Sequence, residues 1–218
     1  MSKKIFCLLL LQCVCFFSSL SFADTSSDRY KNPFYIGLTG GYGSTTWQGL
    51  VPPKSKQGIA MLVSTPNNVD EGGNIYGAFA GYEIIPCFAV EASYTRYPDA
   101  TISFAPMSIV AIVDGVSQFV SHTETYAVMA KFMLFIPHTN IRVFSAAGPA
   151  EVHRFDQLAD IWRLSPAFSV GLNYDFNAHI MGEIGFSYTG GYGESELNPA
   201  DDYVPFLYSG FIHLAYRF

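Results

Sequence analysis

Five titratable side chains, Glu91, Lys131, Arg142, Glu183 and His213, stand in segments whose alternate positions are otherwise small or neutral. Ala89, Ser93 and Thr95 share a face with Glu91; Ala127 and Met129 share one with Lys131. Ser169 and Gly171 lead to Asn173 in the same way. Acids and bases in such a setting neutralise one another, because a buried charge without a partner costs several kcal/mol. Counted from the short turns, Glu91, Lys131, Arg142, Asn173, Glu183 and His213 all fall three to five residues from the same end. They are therefore expected at one depth, on the order of 10 Å in from the turns. Two acids and two bases in one layer make a neutral, mutually paired plug.

Catalytic chemistry has weaker support. His122 and His153 lie near polar segments that also hold Asp156, Asp160 and Ser165, but no His-x-Ser or paired-acid motif joins them. The five histidines are too scattered for a metal-ligand pattern. No cofactor is expected, and the chain does not read as an enzyme.

The elements that position the charged set are strands. Period-two alternation, scattered glycine and recurrent aromatics disfavour helices. They predict strands near 33–46, 73–84, 88–97, 124–135, 140–153, 163–176, 179–189 and 204–218. Three joints are hairpin-sized (85–87, 136–139 and 177–178), whereas 48–73, 98–123, 154–162 and 190–202 are long. Short turns at one end and long loops at the other is the plan of an outer-membrane barrel. The face opposite the charges is apolar: Phe34, Ile36 and Leu38; Val90 and Tyr94; Val128 and Phe132; Phe168, Val170 and Leu172; Ile184 and Phe186. The fold class expected is all-β, an eight-stranded antiparallel up-and-down transmembrane barrel. A lipocalin-like soluble barrel, with its apolar face inside, is the alternative.

Composition agrees. Charged residues are 14% of the chain and aromatics 16%, an unusual balance for a soluble domain. "MSKKIFCLLLLQCVCFFSSLSFA" has the two lysines, short apolar stretch and small terminal residues of a secretory signal peptide. The expected organisation is a signal peptide over 1–23 and a barrel domain over 24–218. Loss of the signal leaves Cys87 alone and moves the formal charge from −6 to −8, which argues against a nucleic-acid partner. No later apolar run approaches the length of a spanning helix, and a closed barrel is the other structure that can cross a bilayer.

Several stretches resemble the OmpA-like transmembrane barrel family. "GAFAGYEIIPCFAVEASYT" (77–95) looks like its second hairpin and "FYIGLTGGYG" (34–43) like its opening strand. "YAVMAKF" (126–132) is similar to its lysine-bearing strand and "LAYRF" (214–218) to its closing strand. The resemblance implies that Glu91 and Lys131 belong to an interior charge network. Glu183 stands where that family has an arginine, so the balance must be restored elsewhere, and Arg142 is the candidate. The family's peptidoglycan-binding domain is not expected here, so tethering to the cell wall is not part of what the resemblance implies. The alternating Leu214, Tyr216 and Phe218 resemble the signal read by the outer-membrane insertion machinery.

The function expected is an integral outer-membrane protein of a Gram-negative bacterium with a structural or surface-interaction role, in envelope integrity, adhesion or host contact. A narrow porin-like channel is the alternative, with an outer-membrane lipid-modifying enzyme behind it. Expected partners are outer-membrane lipid and lipopolysaccharide, with the insertion machinery and periplasmic chaperones during assembly. A host or surface ligand at the outer loops is a further one, and the chain is expected to be monomeric. Two loop stretches, "IAMLV" (59–63) and "FAPMSIVAIVDGVSQFV" (104–120), are more apolar than solvated loops require. They either pack on themselves above the membrane or present a surface.

Overall fold

Alternation of the kind seen in the sequence can be satisfied only if each strand has two walls to face, and here the sheet closes on itself. The computed structural model describes residues 32–52, 63, 65–113, 115–193 and 203–218. The signal peptide expected over 1–23, residues 59–62 of the first apolar loop stretch and most of 190–202 lie outside them.

The barrel strands are β1 (Phe34–Thr45), β3 (Gly73–Ile85), β4 (Phe88–Arg96), β6 (Gln118–Phe135), β7 (Ile141–Phe155), β8 (Asp160–Asp175), β9 (Ile180–Thr189) and β10 (Leu207–Arg217). Each pairs antiparallel with the next, and β10 returns to β1, with Tyr35 opposite Arg217 and Thr45 opposite Leu207. Closure leaves no strand edge in the wall. Two short strands outside the wall, β2 (Asn68–Asp70) and β5 (Ala100–Ser103), pair with each other, and β5 also pairs with the start of β6.

At the loop end the expected boundaries fall short. β6 starts at Gln118 rather than 124, β7 runs on to Phe155, and β8 begins at Asp160, so the expected loop over 154–162 is only a tight turn. Above the apolar belt both faces carry polar residues such as Gln118, Ser121, His122 and Glu124. Hydropathy stops alternating there while backbone pairing continues. In the other direction, β10 begins at Leu207 rather than 204, and Val204 forms an isolated bridge to Tyr192.

The outer wall is the apolar face. Leu38 is 70% exposed and Phe186 72%, values that only a lipid environment makes inexpensive. Aromatic rings collect at two levels. Phe34 lies against Phe218 and Phe88 against Phe132 near the short turns; Tyr94 lies against Tyr126 and Tyr188 against Tyr208 near the loops. These are the interfacial girdles of a membrane barrel. The soluble alternative, with the apolar face inside, is not what the chain adopts.

Candidate functional site

The interior is where the charged side chains converge. Arg142 on β7, Asn173 on β8, Glu183 on β9 and His213 on β10 are directly opposite one another in successive strand pairs, so one row crosses four strands. Lys131 reaches this row from β6. Its Nζ donates to Glu183 Oε1 at 2.6 Å and to Glu91 Oε2 at 2.9 Å. Tyr35 on β1 donates to the same Glu91 oxygen at 3.0 Å, and a side chain at Gly81 would collide with the Tyr35 ring that makes this reach possible. Glu183 also accepts from Asn173 Nδ2 at 2.7 Å, and its Oε2 lies 3.2 Å from His213 Nδ1. The imidazole is sandwiched between Phe79 and Phe211, each ring 4.2 Å away. Lys131 Nζ sits 4.5 Å from the Phe144 ring centre, a cation–π contact in a dry setting.

A second layer lies nearer the short turns. Arg142 donates through Nη1 to Glu83 Oε1 at 2.8 Å and through Nε to Asn173 Oδ1 at 3.0 Å, and its Nη2 is 3.4 Å from Asp175. Arg217 Nη2 donates to the same Glu83 oxygen at 2.5 Å and lies 3.5 Å from Asp175. Two guanidiniums thus face two carboxylates, all buried.

One expectation is corrected by this geometry, and the charged set is larger than expected, with Glu83, Asp175 and Arg217 forming a further group nearer the short turns. Arg142 does not balance Glu183: the strand carrying Asn173 stands between them, and the guanidinium turns toward Glu83 and Asp175. Glu83, Asp175 and Tyr35 were not singled out in the sequence. Parity could have found all three, since Glu83 shares a face with Phe79 and Gly81, and Asp175 with Asn173.

Above the upper tier, hydroxyl groups of Thr39, Ser93, Thr95, Ser169, Ser187 and Ser209 line a cavity of about 40 Å³. That is room for roughly three waters. A cap closes the loop end. Trp47, Leu50, Val69, Ile102, Phe104, Val110, Phe119 and Tyr203 form a buried apolar cluster there. Arg154 is fully buried beneath it, with its guanidinium carbon 4.7 Å from the Trp47 ring centre. It donates to Asp156 Oδ2 at 2.7 Å and to the Tyr203 carbonyl at 2.6 Å. Asp156 Oδ1 accepts in turn from the Leu158 and Ala159 amides. Glu71 accepts from Thr45 Oγ1 and the Trp47 amide, fixing the turn that carries Trp47. Burial pushes the Glu71 carboxyl up, although these donors pull it down. Phe104, Val110 and Phe119 thus show the self-packing expected of one apolar loop stretch, while Met107, Ile112 and Val113 in it stay exposed.

The residues with catalytic possibilities do not converge. His153 Nε2 lies 2.9 Å from Asp160 on the outer wall, while Ser165 is buried on the inner one. Asp156 is held by Arg154, and His122 pairs with Asp99 at 2.7 Å.

The sequence matches the family described as outer membrane protein beta-barrel domain over residues 10–205. Among solved structures, the Neisserial surface protein A is similar at 13% identity and a TM-score of 0.52, covering 85% of this chain and 97% of that one. The N-terminal β-barrel domain of Pseudomonas aeruginosa OprF, also 13% identical, has a TM-score of 0.49 over 86% of this chain and 98% of its own. At these identities the likeness concerns the fold alone. Comparison with curated proteins gives no match.

Proposed function

The chain belongs to the outer membrane protein beta-barrel domain family, and from that premise we propose a non-conducting outer-membrane protein of a Gram-negative bacterium with a structural or surface-interaction role. The observation that carries this reading is the double closure of the lumen. Two tiers of ion pairs fill the half near the short turns, and the Arg154-centred cap fills the loop end. Between them is left a cavity of about 40 Å³. Eight strands enclose an interior that side chains can fill, and here they fill it twice.

The loop end supports the surface role. Gln118 precedes the girdle residue Tyr126 by eight positions, so β6 carries its loop roughly 25 Å along the strand beyond the girdle. In the loop that leads into β6, Met107, Ile112 and Val113 are exposed. The outward row Leu214, Tyr216 and Phe218 on the closing strand suits recognition by the insertion machinery during assembly.

Conductance in planar bilayers tests the closure. The intact protein is expected to give no stable current. Opening either seal alone, by Arg154→Met or by Lys131→Met, should leave current near baseline, whereas the combined variant should conduct. Steady current from the unaltered protein would overturn the reading in favour of a narrow channel.

A further inference from the structure

The lipid-facing wall has a groove of about 580 Å³. Its floor is built from alanines. Ile36, Ala80, Ala92 and Val128 form one outward row across four strands, and Ala78 lies in the row above. Methyl groups at the three alanine positions leave the wall recessed between the larger side chains on either side. In the upper row, Ala78 is followed by Tyr94, Tyr126, Glu151 and Leu164, each opposite the next. Among the described residues lining the groove, Glu151 is the one that carries a charge.

A carboxylate facing outward within an aromatic girdle calls for an explanation. The nearby cations are already engaged: Arg96 holds Glu124 at 2.7 Å and Asp99 at 3.1 Å, and His153 is paired with Asp160. Glu151 makes no ion pair among the described residues. Beside it the Tyr126 and Trp162 rings stack at 5.9 Å, with His153 stacked on Trp162 at 3.9 Å, so this aromatic group walls one side of the carboxylate and brings it no cation free of another partner.

We propose that this groove binds a membrane phospholipid with an ammonium headgroup, of the ethanolamine class. An acyl chain lies over Ala78, Ala80 and Ala92, and the ammonium meets Glu151 beside Tyr126 and Trp162. Charge complementarity selects the headgroup, because an anionic head placed at this level would face the Glu151 carboxylate. The groove's position between the two girdles selects a lipid rather than a soluble ligand. The inference rests on the outer-membrane reading above.

Quenching of Trp162 emission tests it with the full chain inserted in bilayers. Phospholipids with brominated chains and either an ethanolamine or a glycerol headgroup serve as probes. Trp162→Phe provides the signal from Trp47 to be subtracted. The ethanolamine lipid should reach half-quenching at a roughly two- to fivefold lower mole fraction than the glycerol lipid, the range of a single exposed ion pair. Glu151→Gln should erase that difference, and Ala80→Phe, which fills the groove, should weaken quenching by both lipids. Equal mole fractions for the two headgroups, or a preference that persists in Glu151→Gln, would overturn the site. Absence of quenching by either lipid would instead show that this wall does not face a bilayer, and both readings would fail.

Discussion

Lys131 Nζ and Glu183 Oε1 are 2.6 Å apart, although their strands, β6 and β9, are separated in the wall by β7 and β8. The bond therefore crosses the lumen instead of running along the wall. With the second bond from Lys131 to Glu91 on β4, a single ammonium ties three strands through the barrel's interior. Every partner is dry, so each charge depends on the others for its stability.

Removal of that ammonium should be costly, and its partners should not suffer equally. Lys131→Met leaves two carboxylates, with an expected loss of about 3–5 kcal/mol in urea unfolding from lipid or detergent. Glu183 retains Asn173 and His213, whereas the bond that Glu91 retains is that of the Tyr35 hydroxyl. Glu91→Gln should therefore recover more of the loss than Glu183→Gln when each is added to Lys131→Met. Additive effects in the double-mutant cycles would show that these contacts carry no coupling.

Asn173 joins the tiers, accepting from Arg142 on one side and donating to Glu183 on the other. Asn173→Ala deprives two buried charged groups of one partner each, so a loss of roughly 2–4 kcal/mol is expected from two such bonds. Asn173→Asp should cost more at neutral pH, since it places a second carboxylate where the amide met Glu183. If the aspartate variant proved as stable as the native chain, the bridging role would be wrong.

How much of this was legible depended on which variable set the contact. Faces were legible, because parity along a strand is a local property: Leu38 out and Thr39 in, Phe132 out and Lys131 in. Pairing was not. Which carboxylate an inward cation meets depends on strand tilt and register: Arg142 and Glu183 share a row, yet the guanidinium turns to Glu83 and Asp175. Glu83 and Asp175 adjoin short turns, where charged residues are ordinary, so their positions alone do not mark them as part of a network. Arg154 was hidden by an underestimated strand. It lies twelve residues from Arg142, with the same parity, but hydropathy alternation has faded by that point.

The cap should yield locally. Arg154→Met keeps much of the apolar volume while removing the ion pair to Asp156 and the cation above Trp47. Trp47 emission should shift to longer wavelength and the loops should be cut faster by protease. The heat-dependent change in gel mobility that reports the closed barrel should survive. Loss of that mobility change would mean that the cap and the wall form one cooperative unit.

The last strand separates assembly from stability, because adjacent residues there do different work. Phe218 faces outward, its ring 5.8 Å from Phe34, and its amide donates to the Phe34 carbonyl. Arg217 faces inward and holds Glu83 and Asp175. On the proposal that the insertion machinery reads the outward row, deleting Phe218 is expected to reduce the yield of barrel in cells, while refolding from urea into detergent stays near normal. Arg217→Ala is expected to do the reverse. Its outward row is intact, but the lower tier loses a buried cation, and the refolded barrel should unfold at clearly lower urea. Measuring both variants both ways gives a crossed pattern if the two roles are distinct. Should the Phe218 deletion assemble in cells as well as the native chain, the recognition role falls; should Arg217→Ala match native stability, the lower tier is not a stabilising seal.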